Sequence, residues 1–397
     1  MKIKTGQGTL SLQKLIAIYS ISMVTSLPGL AISPILGKLE SIFKTASELQ
    51  LQMLESLPSF IIIPFILLAG HMSLKFNKKK LLISGLIIFF ACSIIYPFAN
   101  SMGLLLTISA LLGIGAGLVI PFSTGLVADY FTGVYRTRQL GYVSAITNFT
   151  LVIATLFAGF LAGISWHLSF VVYCISGVSL FFAFFLDNTP PDSTSAAQAT
   201  PATGNTKPIY HFKWPVKLML FYYLITFLAL TVPLNLSLYM HNLKLGNYDT
   251  SGTLISVFFL SITLPGLLIN RILKQFSHYT NFISLILVSV GLVLFAIKSG
   301  LFLLTLGVIF IGLGYGTMQP IIYDKTASGV KTSNATYALS LVMVMNYVSI
   351  ITYPFIIEGA GKLFHTDSSS FPFIFSMIVS IVFTVFCFFR RNSKTLG

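Results

Sequence analysis

Long apolar runs separated by short polar stretches make up most of this chain. A helix needs about 20 predominantly apolar residues to cross the hydrocarbon core of a bilayer. Twelve runs meet that requirement, and each predicts one membrane-spanning helix. The predicted helices, numbered 1 to 12, begin near Leu12, Leu51, Leu81, Leu104, Gln139, Leu168, Val216, Ser251, Asn281, Leu301, Ala335 and Phe371.

Composition agrees with an integral membrane protein. Hydrophobic residues make up 55% of the 397 residues and charged residues only 9%, whereas soluble domains carry about 25% charged residues. The first run is long enough to span and lacks a small-residue cleavage site, so we expect it to remain as a helix. The three cysteines lie in apolar runs without metal-ligand spacing, which predicts core positions and no metal site.

Basic residues are distributed unequally between the predicted loops. With the N-terminus inside, 19 Lys and Arg residues fall on the cytoplasmic side and 5 outside, which is a strong positive-inside bias. Twelve spans then leave both termini in the cytoplasm, and we expect the plasma (inner) membrane of a bacterium. The net charge of +14 comes from short clusters and forms no continuous basic stripe, so we expect the lipid bilayer as partner and no nucleic acid.

The chain divides into two related halves. The stretch from Asp187 to Lys213 is rich in Pro, Ser, Thr and Ala and predicts a cytoplasmic linker. We therefore expect six-helix bundles at residues 1–187 and 215–397 with a linker at 188–214. "GIGAGLVIPF" from Gly113 recurs as "GLGYGTMQPI" from Gly312, which indicates a duplicated unit. Two parallel repeats around a midplane cavity are typical of an alternating-access carrier.

Nothing in the sequence favours an enzyme. The six histidines lack metal-ligand spacing, and no G-x-x-x-x-G-K-[ST] stretch is present to bind ATP phosphates. The glycine triplets lie inside apolar spans and follow no predicted strand, so we interpret them as packing glycines. We expect no cofactor, and transport must then draw on an ion or solute gradient.

Three stretches resemble a known family. "AGHMSLKFNKKKLL", from Ala69, is similar to the G-x-L-A-D-R-x-G-R-K loop between helices 2 and 3 of the major facilitator superfamily, with Leu74 in place of the Asp. Predicted helix 5 resembles that family's antiporter pattern of small residues. "VADYFTGVYRTRQLGY", from Val127, resembles its loop between helices 4 and 5. Within the family, the chain resembles bacterial twelve-helix drug:proton antiporters.

The resemblance implies both a fold and a gate. The fold would be an all-α integral membrane protein with 12 transmembrane helices in two pseudo-symmetric six-helix bundles, and we expect a monomer. In the family, the Asp of the first loop helps to close the cytoplasmic side through charge contacts, which Leu74 cannot make. Asp129 is a candidate to take over part of that role, and solvated charge that sets topology is the alternative for Asp129, Arg136 and Arg138. The cytoplasmic gate candidates are Gly70, Lys75, Lys78, Asp129, Arg136 and Arg138.

Coupling to protons requires an ionisable group in the transport pathway. An acid in or near hydrocarbon is costly enough to be a functional candidate. The candidates are Glu55 near the outer end of predicted helix 2, Asp324 near the cytoplasmic end of helix 10, and Glu358 at the outer end of helix 11. An interfacial carboxylate paired with a neighbour such as Lys325 is the structural alternative.

Polar and aromatic residues within the predicted spans predict a mostly apolar cavity with a few orienting groups, suited to a lipophilic or amphipathic small molecule. Interhelical hydrogen bonds are the alternative role for each of them. The cavity candidates are Tyr19, Ser22, Ser26, Asn148, Tyr222, Thr226, Asn235, Tyr315, Gln319, Asn346 and Tyr347.

Three functions remain open from the sequence. The first is proton-coupled export of lipophilic small molecules by alternating access. The second is uptake or exchange of a specific nutrient or organic anion, which the scarcity of pathway acids would suit. The third is a non-transporting receptor or lipid scramblase on the same fold.

Overall fold

A computed structural model of the chain describes residues 2–28, 30–35, 38–39, 42–44, 48–187, 213–245, 248–297, 300–366 and 368–390. Twelve α-helices occupy most of these residues. They are α1 Leu12–Thr25, α2 Glu48–Met72, α3 Lys78–Ile95, α4 Met102–Tyr130, α5 Gly133–Ile164, α6 Ile175–Ala183, α7 Lys213–Asn242, α8 Tyr248–Phe276, α9 Thr280–Ala296, α10 Leu301–Ser328, α11 Thr332–Leu363 and α12 Phe371–Arg390.

Each predicted span corresponds to one of these helices, so the predicted all-α architecture is confirmed. Over the described residues, nine helices are long and apolar enough to cross a membrane, and α1, α9 and the apolar part of α2 are shorter. The sixth span begins as a 3₁₀ helix, Trp166–Cys174, that continues into α6. We call α1 to α6 the N-terminal half and α7 to α12 the C-terminal half. The predicted linker falls mostly outside the described residues, so the domain boundaries stay a prediction.

The glycine triplets of α4 and α10 make equivalent contacts in the two halves. The first and third glycines pack against the backbone of α2 or α8, and the middle one packs against α3 or α9. A Cβ on Gly113 would lie 3.0 Å from the Pro58 carbonyl oxygen, and one on Gly312 would lie 2.9 Å from that of Phe258. The remaining equivalent pairs are Gly115 with Gly85, Gly314 with Ser284, Gly117 with Ile62, and Gly316 with Ile262. The sequence repeat is therefore also a repeat of packing.

The two halves meet closely at one end of the bundle. There Gly70 of α2 packs on Ser340 of α11, and Gly125 of α4 packs on Thr336 one helical turn earlier in α11. Lysines and arginines are concentrated in the loops that follow α2, α4, α8 and α10 and in the helix ends next to those loops, so we call this end the basic end. It is the end that the charge pattern predicts to be cytoplasmic.

A second close contact between the halves joins α5 to α8. A Cβ on Gly266 would lie 2.5 Å from the Gly141 carbonyl oxygen, and a Cβ on Gly141 would meet the Gly266 carbonyl oxygen. Neither position has room for a side chain while the helices keep this separation. The basic end is therefore closed in this structure.

A short N-terminal hairpin, which the sequence pattern did not predict, lies against the basic end. Strands β1 (Lys2–Lys4) and β2 (Thr9–Ser11) pair antiparallel and lead directly into α1. Its turn has Gly6 at φ +91°, and the Thr132 N–H donates to the Thr5 carbonyl oxygen at 3.0 Å. The hairpin therefore covers the turn between α4 and α5.

We predict that Gly6→Ala loosens the hairpin, whereas Gly8→Ala does not. A Cβ at Gly6 would lie 2.6 Å from Thr132 Oγ1, whereas at Gly8 its nearest neighbour is 4.0 Å away. A positive φ costs a residue with a side chain about 1–2 kcal/mol, so amide exchange in residues 2–11 should be roughly tenfold faster. Hydrogen exchange followed by mass spectrometry measures this rate. Equal rates in the two variants would show that the turn is not under this constraint.

Candidate functional site

The lysine cluster between α2 and α3 connects elements of the N-terminal half. Lys78 donates to both carboxylate oxygens of Asp129 at 2.8 Å, and that carboxylate is buried at the end of α4. Lys79 donates to the carbonyl oxygens of Phe184 and Leu186 after α6, at 2.8 and 2.7 Å. Asn77 begins α3 as its N-cap, because its side chain accepts the Lys79 N–H at 2.9 Å.

In the hydrogen bonds and ion pairs described for them, the gate candidates fall into separate contacts. Arg136 of α5 donates to the Asp324 carboxylate of α10 at 2.6 Å, and the Thr137 hydroxyl donates to the same carboxylate at 2.9 Å. Arg138 turns away and donates to the Tyr142 hydroxyl at 2.8 Å. Lys75 is exposed and makes no ion pair with a described residue. Among the described ion pairs, that of Arg136 with Asp324 links the two halves.

The three acids chosen as proton carriers have different surroundings. The Asp324 side chain is 23% exposed and sits between α10 and α5. Glu358 is 65% exposed and pairs with Lys362 on its own helix at 2.7 Å, so the structure does not bring it into the interior. Glu55 belongs to α2, but its side chain lies outside the described residues. Of the three, Asp324 has the described contact that joins the halves.

Four cavity candidates form one cluster in the C-terminal half. The Tyr222 hydroxyl accepts from the Gln319 amide at 3.1 Å and from the Asn346 amide at 3.4 Å. Asn346 also donates to the Tyr315 hydroxyl at 3.3 Å. Tyr222 pairs with the hydroxyl of Tyr323 at 2.7 Å. We call this group, which comes from α7, α10 and α11, the tyrosine–amide cluster.

Among the described hydrogen bonds, one joins the tyrosine–amide cluster to the N-terminal half. Ser144 of α5 donates to Gln319 Oε1 at 2.5 Å. Ser144 lies two helical turns after Thr137 on α5, and Gln319 lies five residues before Asp324 on α10. At 1.5 Å rise per residue, this contact lies about 8 Å farther from the basic end than the ion pair. The same two helices therefore carry a charged contact near the end and a neutral contact deeper inside.

The other cavity candidates do not join this cluster by hydrogen bonds. Ser22, Ser26 and Asn148 bond carbonyl groups of their own helices, a common alternative for such residues. Tyr19 donates to Gln139 Oε1 within the N-terminal half, and Asn235 donates to the Tyr353 hydroxyl at 2.8 Å. Tyr347 is half-buried without a hydrogen bond to a described residue, and Thr226 is buried without one.

The residues of these contacts that the sequence analysis missed include Thr137, Gln139, Ser144 and Tyr323. Tyr323 follows Gln319 by four residues on α10, a spacing that places two side chains on one helix face. That spacing could have revealed it. Thr137 and Ser144 look like ordinary helix residues in the sequence, since their partners are almost 200 residues away.

The model of the Major Facilitator Superfamily matches residues 15–354, which is most of the chain. The chain belongs to the Major Facilitator Superfamily. It is a multi-pass membrane transporter of that superfamily, in agreement with the fold and with the repeated glycine contacts of α4 and α10.

Two bacterial relatives in the superfamily match part of the chain. It is 27% identical over 186 residues to the quinolone resistance protein NorA of Staphylococcus aureus, covering 46% of this chain and 47% of that protein. It is 31% identical over 123 residues to the multidrug transporter protein MdtP of Bacillus subtilis, covering 31% of this chain and 22% of that protein. The matched stretches thus span less than half of either relative.

A solved structure of the same superfamily matches nearly the whole chain. The human organic anion transporter MFSD10 superimposes with a TM-score of 0.78, covering 94% of this chain and 98% of that one. The sequence identity is 13%, so this likeness concerns the fold.

We predict that Asp129→Asn destabilises the transporter. The Asp129 side chain is 3% exposed and Lys78 is 15% exposed, so the change leaves a largely buried ammonium without its counter-charge. Breaking such a pair should lower the free energy of unfolding by about 3 kcal/mol. Denaturant unfolding of the purified protein measures the change. Glu358→Gln is the matched control, since its pair with Lys362 is exposed and should contribute nothing measurable.

We predict that Gly141→Val opens the basic end of the transporter, because its side chain would overlap the Gly266 backbone. Overpacking costs about 2 kcal/mol, which changes the ratio of closed to open molecules roughly thirtyfold. Gly266→Val should have the same effect from the other side. Gly163→Val, also on α5, is the control, since a Cβ there meets nothing within 4 Å.

Two spin labels at Lys75 and Lys331, one in each half, report the separation at the basic end once the three native cysteines are replaced. Both lysines are exposed. The label-to-label distance should lengthen in Gly141→Val and Gly266→Val and stay unchanged in Gly163→Val. Unchanged distances in both interface variants would mean that the glycine contact does not control closure.

Proposed function

We propose that this protein exports lipophilic or amphipathic small molecules in exchange for protons. The basic end is the cytoplasmic end, both termini are cytoplasmic, and the membrane is the plasma membrane of a bacterium. The observation that carries the proposal is the Arg136–Asp324 contact, which joins α5 of one half to α10 of the other.

A proton on Asp324 would weaken the closed basic end. The ionised carboxylate accepts from Arg136 and Thr137 at once, and charge-assisted hydrogen bonds of this kind are about twice as strong as neutral ones. Protonation removes the negative charge, so less free energy is needed to separate the halves.

The coupling then follows from the order of binding. A proton taken up while the basic end is closed releases Arg136 and favours opening to the cytoplasm. Loss of that proton to the cytoplasm and entry of substrate favour the ion pair and closure again. The proton moves inward and the substrate outward, which is antiport.

Two observations support a lipophilic substrate. The tyrosine–amide cluster offers aromatic rings and a few neutral polar groups, the mixture that is typical of small-molecule sites. The names of the partial relatives, a quinolone resistance protein and a multidrug transporter, point in the same direction.

Uptake or exchange of an organic anion or a nutrient is the second candidate. It is favoured by the composition of the tyrosine–amide cluster, whose described members carry no formal charge. The two candidate functions are distinguished by measuring the direction of transport and whether transport depends on a proton at Asp324.

We predict that Asp324→Asn abolishes proton-driven transport. Proteoliposomes containing the protein are loaded with a fluorescent lipophilic dye, and dye movement is followed with and without an imposed pH gradient. The wild-type protein should move dye against its gradient, whereas Asp324→Asn should only exchange dye across the membrane. Glu55→Gln tests the other predicted carrier in the same assay.

Asp187→Asn is the matched control, since Asp187 is an acid at the same end that pairs with Lys14 within the N-terminal half. It should retain gradient-driven movement. Gradient-driven transport by Asp324→Asn at the wild-type rate would remove Asp324 from the coupling mechanism. No dye movement by the wild-type protein under any gradient would favour the second candidate.

A further inference from the structure

The two oxygens of the Asp324 carboxylate face different kinds of hydrogen-bond partner. Oδ1 accepts from Arg136 Nε at 2.6 Å, and Oδ2 accepts from the Thr137 hydroxyl at 2.9 Å. A guanidinium group has N–H donors and no acceptor, whereas a hydroxyl both donates and accepts. If the carboxylate binds a proton, only the Thr137 side of these two contacts can accept a hydrogen bond from it. The proton therefore belongs on Oδ2.

The other described contacts of Asp324 offer no second acceptor. Lys325, the next residue on α10, interacts with the carboxylate electrostatically, but an ammonium group only donates hydrogen bonds. Helices α4, α7, α8, α9 and α11 also pack against α10, and no described hydrogen bond or ion pair joins them to the Asp324 side chain. Among the described contacts, Thr137 is thus the partner that can bond to both protonation states of this carboxyl group.

The Thr137 hydroxyl has a second acceptor within reach for its own hydrogen. Its Oγ1 lies 3.4 Å from the Gly133 carbonyl oxygen, one helical turn earlier in α5, and threonine commonly makes such bonds within helices. Thr137 is 7% exposed, so little water competes for this hydrogen. While Asp324 is ionised, the hydrogen points to the carboxylate, because charge-assisted hydrogen bonds are the stronger ones. When the carboxyl group is protonated, the hydrogen can turn to Gly133.

We propose that Thr137 positions the coupling proton by reversing its hydrogen-bond role. It donates to Asp324 when the carboxyl group is ionised, and it accepts from the Oδ2–H group when the carboxyl group is protonated, with its own hydrogen turned to the Gly133 carbonyl. The proton comes from water and is bound by Oδ2. The Thr137 hydroxyl only rotates about its Cβ–Oγ bond, so none of its covalent bonds is broken. The proposal rests on the proposed function and adds a positioning residue to it.

The reversal keeps a hydrogen bond between α5 and α10 after the ion pair has lost its negative charge. The Asp324 side chain is 23% exposed, so an O–H group without an acceptor would be costly there. With Thr137 as acceptor, the closed form can hold the proton before the basic end opens. Proton-driven export needs this order of events, because a proton that enters only after opening would come from the cytoplasm.

Infrared difference spectroscopy of the full-length protein in liposomes tests the proposal. The C=O stretch of a protonated carboxyl group lies at lower wavenumber when its O–H group donates a hydrogen bond. Difference spectra are recorded between high and low pH, and the Asp324 band is the one that Asp324→Asn removes.

A disulfide between Gly125→Cys and Thr336→Cys holds the basic end closed during the titration, in a protein whose native cysteines are replaced. A Cβ on Gly125 would lie 3.0 Å from Thr336 Cβ, which is about half an ångström less than the separation in a disulfide. A small shift of α4 against α11 therefore accommodates the bond. This cross-linked protein is the parent of the variants below, so that the spectra report protonation without opening.

Thr137→Val is the decisive variant, because valine has nearly the shape of threonine but neither donates nor accepts a hydrogen bond. The Asp324 band should move to higher wavenumber in Thr137→Val and stay in place in Thr137→Ser, which keeps the hydroxyl. Thr137→Ala should give the same displacement as Thr137→Val, which excludes an effect of valine packing. Thr155→Val is the control on the same helix and should leave the band in place, since the Thr155 hydroxyl bonds carbonyl groups of its own helix.

An Asp324 band at the parent wavenumber in both Thr137→Val and Thr137→Ala would overturn the proposal, because the O–H group would then donate to water or to another residue. An equal displacement in Thr155→Val would also overturn it. Absence of any Asp324 band at low pH would reject this proposal together with proton coupling through Asp324. The titration needs no transport, so a band that appears and shifts as expected while the dye does not move would reject the proposed function alone.

Discussion

Close approach of helix backbones is the constraint on which the rest of this structure depends. Lipid is as apolar as the helix surfaces, so helices in a bilayer associate by tight packing rather than by escape from water. The same kind of glycine contact is used for two purposes. Within each half, the triplets of α4 and α10 fix three neighbouring helices, whereas between the halves Gly70, Gly125 and Gly141 allow the basic end to close.

The two sets of glycine contacts must behave differently during an alternating-access transport cycle. The contacts within a half should persist, because α2, α3 and α4 must move as one body. The contacts between halves must form and separate. Gly141 and Gly266 meet backbone against backbone, whereas Gly70 and Gly125 meet the short side chains of Ser340 and Thr336. Such contacts suit a reversible seal, since few side chains have to change rotamer when the helices separate. Tight packing brings the halves together at the basic end, and in the proposed mechanism the Arg136–Asp324 pair makes this closure depend on charge.

The sequence predicted the fold far better than the site. Helix positions follow from runs of apolar residues, which are local, and the bilayer requires every spanning backbone to satisfy its own hydrogen bonds. The sequence analysis did not predict the N-terminal hairpin, because its two strands of three residues are too short to show an alternating apolar–polar pattern. In the site, Tyr222 and Gln319 could be recognised as polar residues in apolar spans. Whether a residue such as Asn148 faces a neighbour or its own helix depends on packing that a single sequence does not encode.

Helix α10 carries residues of both the tyrosine–amide cluster and the Arg136–Asp324 ion pair. Tyr315, Gln319 and Tyr323 lie at spacings of four residues on one face, and Asp324 follows Tyr323 directly. A substrate that contacts the tyrosine–amide cluster would also act on Gln319, whose side-chain carbonyl oxygen accepts a hydrogen bond from Ser144 of the other half. Gln319 and Asp324 belong to the same helix and each contacts α5, Gln319 through Ser144 and Asp324 through Arg136. In the proposed mechanism, substrate and proton are therefore coupled because each biases the contact between α5 and α10.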